Sequence, residues 1–423
     1  STTNWETLRV TEPTITLAAP TLRDIEIARG RVDPIIDVTP IQRSRAIGEM
    51  LGSEVVLKCE NLQRTGAYKL RGAYNRLSLL SDDEKARGVV AASAGNHAQG
   101  VAFAARELGI QATIFMPLGV ALPKLQATRG YGAAVELRGH IFDETLAAAI
   151  AFAEETGAVF IHPFDHPDVI AGQGTLGLEI LEQVPDVETI VVPIGGGGLA
   201  AGVAIAVKAQ AALSGRDVRI IGVQAAHAAA FPISLNAGTA TQISISPTIA
   251  DGIAVARPGS LTFEIIQELV DEVVTVRDDD TARALVVLLE RAKLVVEPAG
   301  AVGVAAIMTG AITGTGKTVV IPPGGNIDPM MMERVISHGL AASERYLRLR
   351  IPLPDRPGQL ARVSQIISDC NANVLEVLHT RRNAGLQITE VELELHIETR
   401  GPEHTEVVLD HLRSEGFEPR LDF

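Results

Sequence analysis

The chain has 423 residues, which at about 150 residues per domain is enough for two or three domains. Hydrophobic residues make up 46% of the chain and charged residues 21%, which excludes a disordered chain and a disulfide-stapled miniature. The net charge of −14 argues against nucleic acid as a partner, because a polyanion is repelled at long range.

From residue 21 to residue 342 the sequence alternates short β-branched runs with longer alanine-rich helical stretches. Repeated units of this kind predict a parallel sheet covered by helices, and hence an α/β fold. The predicted strands are residues 54–61, 88–93, 112–116, 189–194, 219–224 and 318–322. Several of them are apolar through their middles, as expected of strands that are buried on both faces.

A different pattern begins after about residue 342. Residues 386–399 alternate apolar and polar side chains, which predicts a strand with one buried and one solvated face. A strand at 346–352, a helix opened by DRPGQL at 355–360 and a strand near 373–380 precede it, and a helix at 403–414 and a final strand follow. This order, βαββαβ, predicts a ferredoxin-like domain at 345–423 after a main domain at 21–342 and an N-terminal tail at 1–20.

The sequence also indicates in which cellular compartment the protein is expected. Residues 1–20 are polar and lack the apolar segment of a signal peptide. Residues 190–207 are uncharged, but Pro193 and the glycines that follow favour a strand, a turn and a helix over a membrane span. Cys59 and Cys370 form neither a disulfide framework nor a metal motif. We therefore expect a soluble cytoplasmic protein with no membrane partner.

One lysine has an unusual setting. Lys69 follows a glycine and lies between Tyr68 and Leu70, where apolar neighbours could lower the pKa of its amine enough for Schiff-base and proton-transfer chemistry. Taken alone, a lysine that covers apolar surface at a helix start is the simpler interpretation. The other lysines have ordinary surroundings, including Lys58, which closes a strand.

Two glycine-bearing turns lie between a predicted strand and a predicted helix. In SAGNHAQG at 93–100, free backbone N–H groups together with Ser93, Asn96 and His97 could hold a carboxylate, or the segment could be only a capped turn. In GGGGLAAG at 195–202, the bare backbone could wrap a phosphate. A dinucleotide turn is disfavoured, because Gln224 stands where an acidic residue should end the next strand.

These segments resemble motifs of a known family. Similarity to fold type II pyridoxal-phosphate enzymes, above all threonine ammonia-lyase and serine racemase, runs through residues 27–339 in KCENLQRTGAYKLRGA, ASAGNHAQG, PFDHPDVIAGQGTLGLEI, IVVPIGGGGLAAG, ADGIAV, LVVEPAGAV and PGGNID. Residues 345–423, with DRPGQL, resemble an ACT domain, the regulatory amino-acid-binding module attached to threonine ammonia-lyases. The implied architecture is two covered α/β lobes followed by the ACT domain.

The resemblance also implies roles for individual residues. Lys69 would carry pyridoxal 5'-phosphate through a Schiff base, Tyr68 would stack on its ring, and Asn96 would bond the ring's phenolic oxygen. The residues implied to bind the phosphate are Gly195, Gly196, Gly197, Gly198 and Leu199. Those implied for the substrate carboxylate are Ser93, Asn96 and His97, and those expected near an amino-acid effector are Asp355, Gly358 and Leu360.

The chain departs from the family pattern at four places. Ala67 and Pro323 stand where relatives usually have serine, and the Pro323 ring cannot hydrogen-bond the pyridine nitrogen. Ala94 replaces the second acid/base group of serine racemase, so racemisation lacks a proton donor on the opposite face. The segment that carries cation-binding carboxylates in relatives reads GVQAAHAAAF at 222–231, so we expect no metal site.

The expected function is that of an ammonia-lyase in class EC 4.3.1, which converts L-threonine to 2-oxobutanoate and ammonia and also accepts L-serine, with isoleucine biosynthesis as the implied pathway. One alternative is a dehydratase for another β-hydroxy amino acid, such as 3-hydroxyaspartate. Another is a catalytically impaired amino-acid sensor. The expected partners are an amino-acid substrate, an amino-acid effector and further copies of the chain in a homodimer or homotetramer.

Overall fold

The computed structural model describes residues 17–380 and 389–422. Its strands are β1 (Ile41–Arg43), β2 (Val55–Lys58), β3 (Val89–Ala92), β4 (Ala112–Met116), β5 (Ala134–Leu137), β6 (Val159–Phe160), β7 (Thr189–Pro193), β8 (Arg219–Ala225), β9 (Glu272–Val276), β10 (Thr318–Val320), β11 (Tyr346–Pro354), β12 (Asn373–Thr380), β13 (Glu390–Glu398) and β14 (Arg420–Asp422). Most of the predicted tail and residues 386–388 of a predicted strand lie outside the described residues.

The helices surround these strands. They are α1 (Leu22–Val32), α2 (Arg45–Leu51), α3 (Lys69–Ser78), α4 (Asp82–Arg87), α5 (Asn96–Leu108), α6 (Leu122–Gly130), α7 (Phe142–Thr156), α8 (Pro167–Gln183), α9 (Gly198–Leu213), α10 (Ala230–Ala237), α11 (Ser260–Leu269), α12 (Asp278–Val287), α13 (Pro298–Met308), α14 (Pro329–Ala342), α15 (Gln359–Asp369) and α16 (Pro402–Ser414). Among the described helices, none is both long enough and apolar enough to cross a bilayer.

Two parallel sheets form the main part of the chain. The larger has the order β1-β2-β10-β7-β8-β9, in which only β1 runs antiparallel to its neighbour, and the smaller has the order β5-β4-β3-β6. Strands β3 and β7 are buried at every residue, because helices cover both faces of each sheet. The predicted α/β fold class is confirmed.

The loop after β10 makes backbone hydrogen bonds to the segment that leads into α3. Strand β10 is two residues shorter than the predicted 318–322, since the backbone then turns to bond two neighbouring loops. The Pro322 carbonyl accepts from the Asn61 N–H at 3.1 Å, and the Pro323 carbonyl accepts from the Tyr68 N–H at 3.0 Å. The loop before α3 is therefore tied to the carboxyl end of the larger sheet.

Helix α3 packs against α8 at very short range. A Cβ atom at Gly72 would lie 2.8 Å from the Val169 carbonyl oxygen, and one at Gly172 would lie 2.7 Å from the Gly72 Cα. Only glycine allows two helix backbones to approach this closely. The glycines in these two predicted motifs thus fix the position of α3, which begins at Lys69.

A buried ion network lies beneath the start of α3. The Arg71 guanidinium donates to both oxygens of Glu60, at 2.8 and 2.9 Å, and to Glu179 at 2.9 Å. Lys58 donates to Glu179 and to the Thr39 carbonyl. The side chains of Arg71, Glu60 and Lys58 are fully buried, so the two positive charges are matched by two carboxylates out of contact with water.

This network corrects one prediction. Lys58 was expected to be an ordinary lysine at the end of a strand, and that expectation is wrong, because its side chain is 0% exposed. Its partner Glu179 comes from α8, more than a hundred residues further along the chain. Burial lowers the pKa of the Lys58 amine, and the charge of Glu179 opposes that shift.

The C-terminal strands form a third, antiparallel sheet with the order β12-β13-β11-β14. With α15 and α16 the chain order is βαββαβ, as predicted. Alternate residues of β11 and β13 face the two helices and form a separate apolar core, which includes Leu349, Ile351, Leu393 and Leu395. The fold of this part agrees with the ACT-like prediction, whereas its role and the domain boundaries stay predictions.

We expect Arg71→Met to destabilise the protein strongly. The substitution keeps the volume of the stem but removes a charge that Glu60 and Glu179 both need, and breaking a buried pair in this way costs about 3–5 kcal/mol. Urea unfolding followed by circular dichroism measures the loss. Arg23→Met, at an exposed arginine of α1, is the control, and equal midpoints for the two variants would contradict this account.

Candidate active site

Lys69 opens helix α3, and its side chain is partly buried. Its Nζ donates to the Pro163 carbonyl at 2.8 Å and lies 5.3 Å from the centre of the Tyr68 ring. Burial lowers the pKa of Lys69 to about 8, while the charge of Glu297 acts in the opposite direction. This amine is therefore neutral, and able to act as a nucleophile or base, over a larger range of pH than an exposed one.

The loop that carries Lys69 is held by the loop after β10. Ala67 and Gly324 form an antiparallel bridge, and the Gly325 N–H donates to the Gly66 carbonyl at 2.9 Å. Pro323, whose ring is buried, takes part through its carbonyl in the bond to Tyr68. Two of the positions where the chain departs from the family pattern, Ala67 and Pro323, thus lie on facing segments that are joined by backbone bonds.

Residues 162–165 connect the amine to the glycine turn. The Pro163 carbonyl holds Lys69, and the next side chain, Phe164, packs directly on the backbone of Gly196 and Gly198. Asp165 accepts three backbone N–H bonds from the first turn of α11, at 2.9 to 3.1 Å, and so fixes this segment. The Lys69 amine and the glycine turn therefore lie near each other.

The glycine turn itself leads from β7 into α9. Gly197 has φ +103°, a conformation that glycine adopts without strain, and a Cβ at Gly196 would collide with the Phe164 ring. Gly196 also accepts a bond from the Thr262 hydroxyl at 2.6 Å. Leu199 is buried in the first turn of α9, where backbone N–H groups have no partner within the helix. This end of α9 can receive an anion.

The second predicted turn opens α5. Ser93 accepts from the Gly95 N–H at 3.1 Å, and Asn96 and His97 form the first turn of the helix. The His97 imidazole is buried and its Nε2 bonds the Ile161 carbonyl at 2.9 Å, while burial lowers the pKa of His97 to about 3. A neutral, anchored imidazole cannot attract a carboxylate by charge, so any contribution of His97 to a carboxylate site comes from its backbone N–H.

Sequence reasoning assigned no role to two residues that meet Asn96. Asn326 donates to the Asn96 side-chain oxygen at 2.9 Å, and the Asn96 amide donates to a Glu297 carboxylate oxygen at 2.8 Å. Both residues lie in segments singled out above, PGGNID and LVVEPAGAV. The sequence contained one signal for Glu297, a single acidic residue inside an apolar run. Such a residue indicates a buried carboxylate with a partner, because acidic side chains are rarely buried unpaired.

A cavity of about 360 Å³ opens beside these residues. Its wall includes Glu297 and Asn326 together with Lys124, Asp251, Asp328 and Arg334. Lys124, on α6, pairs with Asp251 at 3.1 Å, which joins a helix beside the smaller sheet to a loop beside the larger sheet. The cavity is therefore a cleft between the two sheets, in which these charged and amide side chains lie among apolar ones such as Ile249 and Met330.

The residues predicted to bind the cofactor and the substrate carboxylate do not line this cavity, and Asn96 is linked to it only through Glu297 and Asn326. Asp355, Gly358 and Leu360 lie at the start of α15 in the C-terminal part, where all three are exposed. The Gln224 side chain, at the end of β8, donates to the Ile194 carbonyl at 3.2 Å and accepts from the Phe231 N–H at 2.8 Å.

The residues present fit pyridoxal phosphate. An amine of lowered pKa suits an aldehyde, a glycine turn at a helix start suits a phosphate, and the Tyr68 ring offers a flat surface beside the amine. A Cβ at Gly196 or Gly198 would lie 3.0 Å or less from Phe164, so neither position can carry a side chain. Lys69, Tyr68, Asn96 and the turn at 195–199 would hold the cofactor.

Comparison with known proteins agrees with this geometry. The family model described as pyridoxal-phosphate dependent enzyme matches residues 32–324, and the chain belongs to this family. The predicted family and its cofactor are thereby confirmed. An L-threonine ammonia-lyase of Thermotoga maritima is 47% identical over 401 residues, which is 95% of this chain and 99% of that protein.

Solved structures show the same fold for the main part of the chain. Maize serine racemase is 36% identical with a TM-score of 0.71, and covers 77% of this chain and 99% of its own. The processed form of threonine deaminase isoform 2 from Solanum lycopersicum is also 36% identical, with a TM-score of 0.70, and covers 76% of this chain and 96% of its own.

Lys69 should react at lower pH than exposed lysines. Because burial lowers its pKa to about 8, its amine becomes half neutral near that pH, whereas an exposed lysine needs about pH 10.4. Brief reductive methylation of the cofactor-free protein across this pH range, followed by peptide mass spectrometry, measures the midpoint. Lys293, which is exposed, is the internal control, and coinciding profiles for the two lysines would argue against a perturbed amine.

Proposed function

We propose that the chain is an L-threonine ammonia-lyase, which releases 2-oxobutanoate and ammonia by β-elimination and also accepts L-serine. The observation that carries this proposal is the Lys69 amine, held by Pro163 between the glycine turn and the Asn96 turn with its pKa lowered to about 8. Identity of 47% to a protein named L-threonine ammonia-lyase, over almost the whole of both chains, supports the choice of reaction.

The cofactor, when bound, supplies the electron sink that makes the substrate Cα proton acidic. Lys69 would hold the cofactor covalently and, once displaced by the substrate amine, would take up the Cα proton. A group with pKa near 8 suits this role at neutral pH, because it is a good base and is still partly unprotonated. The Pro163 carbonyl keeps the amine in place between these steps.

The remaining parts of the site would bind the ends of the substrate and cofactor. Backbone N–H groups at the start of α5, with Ser93 and Asn96, would receive the substrate carboxylate. The start of α9, at residues 195–199, would receive the cofactor phosphate. Because both turns sit at the carboxyl ends of buried strands, the anions are held by fixed donors and need no mobile side chains.

Three alternatives predict different results. A dehydratase for 3-hydroxyaspartate would need a further cation for the second carboxylate, and the candidate in the cleft is the exposed Arg334, since Lys124 is already paired with Asp251. A racemase activity is disfavoured by Ala94, which has no proton to give. An impaired sensor is disfavoured by the perturbed Lys69 amine, which a protein without chemistry does not require.

We expect Lys69→Ala to abolish both turnover of L-threonine and the visible absorbance of the bound cofactor. Without the amine no covalent link forms and no base remains, so turnover should fall by at least about 10³-fold, while far-ultraviolet circular dichroism stays unchanged. Keto-acid release is assayed with L-threonine, L-serine and 3-hydroxyaspartate. Lys293→Ala is the matched control.

The assay distinguishes the threonine ammonia-lyase from the 3-hydroxyaspartate dehydratase and from the sensor. Faster release from 3-hydroxyaspartate than from L-threonine would replace the substrate assignment and leave Lys69 in place. A wild-type protein that binds the cofactor but releases no keto acid from any of the three would favour the sensor. Normal absorbance in Lys69→Ala would overturn the assignment of this lysine.

We further propose that residues 345–423 form a regulatory ACT domain attached to a catalytic domain at 21–342, in a cytoplasmic homo-oligomer. The βαββαβ order supports it, and so does the start of α15, where Gly358 has φ +90° and precedes free helix N–H groups that suit an amino-acid carboxylate. Isoleucine and valine are the candidate effectors, bound near Asp355, Gly358 and Leu360.

Removal of residues 345–423 should abolish the response to effector and spare turnover. Linkage requires an effector that favours one conformation to shift substrate affinity, by a coupling of about 1–3 kcal/mol. Keto-acid release at several L-threonine concentrations, with and without isoleucine or valine, measures that shift in the full chain and in the truncated one. A truncated protein that still responds would place the effector site elsewhere.

A further inference from the structure

Glu297 is a buried carboxyl group that the proposed reaction does not use. It precedes helix α13, its residue is 8% exposed, and its backbone N–H donates to the Gly324 carbonyl at 3.1 Å. One carboxylate oxygen of Glu297 accepts a hydrogen bond from the Asn96 amide at 2.8 Å. The carboxylate also packs against the Gly324 backbone, so closely that a side chain at Gly324 would collide with it. The next residue back, Pro323, brings no polar side chain to this wall.

The bond from Asn96 is one of a connected set. The Asn96 oxygen accepts from Asn326, which in turn donates to the Thr65 carbonyl at 2.7 Å. An asparagine amide has two N–H groups and one carbonyl. Since Asn326 occupies the oxygen and Glu297 takes one N–H, the orientation of the Asn96 amide is determined, and its second N–H remains for a ligand.

Charged groups face Glu297 from several elements. Burial raises the pKa of Glu297 to about 7, and the nearby charge of Asp251 acts in the same direction. The bond from Asn96 and the charges of Lys124 and Lys69 act in the opposite direction. The charge of Glu297 also helps to raise the pKa of the Tyr68 hydroxyl, after burial, and the cleft beside Glu297 is lined by Asp328 and Arg334.

We propose that Glu297 is a positioning residue of the cofactor site: it orients the Asn96 amide toward the ring oxygen of a pyridine ligand, and its own charge sets how tightly the site holds that ligand when the ligand is anionic. The proposal rests on the cofactor role proposed above for Asn96. It does not depend on which amino acid is the substrate, nor on covalent attachment to Lys69.

The direction of the effect follows from charge. Below about pH 7 the carboxyl is protonated and neutral, and it can still accept the Asn96 bond through its carbonyl oxygen. As the pH rises through this value the group gains a negative charge next to an anionic ligand in a buried site, where repulsion is strong. Affinity for the ligand should therefore fall with rising pH.

The test uses pyridoxine 5'-phosphate, an alcohol that cannot bond covalently to Lys69. Its dissociation constant for the cofactor-free protein is measured by calorimetry from about pH 6 to pH 8.5, in the wild type and in Glu297→Gln. Glutamine keeps the acceptor for Asn96 but does not titrate. Dividing the wild-type constant by that of the variant at each pH cancels the titration of the ligand itself.

We expect this ratio to rise on the order of fivefold across the range, as one additional charge–charge repulsion develops. Glu297→Leu, which removes the acceptor, should bind weakly at every pH. Glu268→Gln, at an exposed carboxylate of α11, is the matched control and should follow the wild type. Asp251→Asn should move the wild-type transition to lower pH, because the Asp251 charge helps to keep Glu297 protonated.

A ratio that stays constant with pH, with Asp251→Asn also indistinguishable from wild type, would overturn the proposal. If Glu297→Gln does not fold, as judged by circular dichroism, the transition in Asp251→Asn against that in the wild type decides the matter. Failure of the threonine assay with a pH-dependent ratio intact would reject the substrate assignment alone. Equal binding by the leucine and glutamine variants would show that Glu297 does not act through Asn96.

Discussion

The buried network around Arg71 is the constraint on which the rest of the site depends. Two cations and two carboxylates lose their contact with water together, and they are stable only because each finds partners of the opposite charge. Arg71 lies two residues after Lys69, on a helix whose close approach to α8 admits only glycine at Gly72 and Gly172. Charge pairing and backbone contact thus fix the start of α3, and with it the Lys69 amine.

Three loops then bring the chemical groups together around that amine. The segment at 162–165 reaches from Lys69 to the glycine turn, and Asp165 anchors it on α11. The loop after β10 pairs with residues 66–68, and Asn326 within it reaches Asn96. Each loop is short and tied by backbone bonds, so the groups are arranged before any ligand binds, which reduces the entropy lost on binding.

Burial shifts the pKa values of the basic and the acidic group of the site in opposite directions. Burial disfavours charge, which leaves Lys69 more often neutral and Glu297 more often protonated than in water. The pair formed by Lys124 and Asp251 at the mouth lies between the two sheets and is in partial contact with water. The charge of Asp251 raises the pKa of Glu297 and that of Lys124 lowers it, so the pair adjusts how readily Glu297 is protonated.

The sequence by itself determined the α/β class, the βαββαβ order and the family, because periodicity, glycine turns and long motifs are local signals. It also singled out Lys69, whose catalytic role stays a prediction. Only the tertiary structure decided that Lys58 is buried, that the His97 imidazole points to Ile161, and that Glu297 meets Asn96. The physical reason is that residues far away in sequence bury a side chain and bind it. Lys58 forms an ion pair with Glu179 of α8, and Glu297 and Asn96 are about two hundred positions apart. No local pattern encodes which distant group will lie beside a side chain.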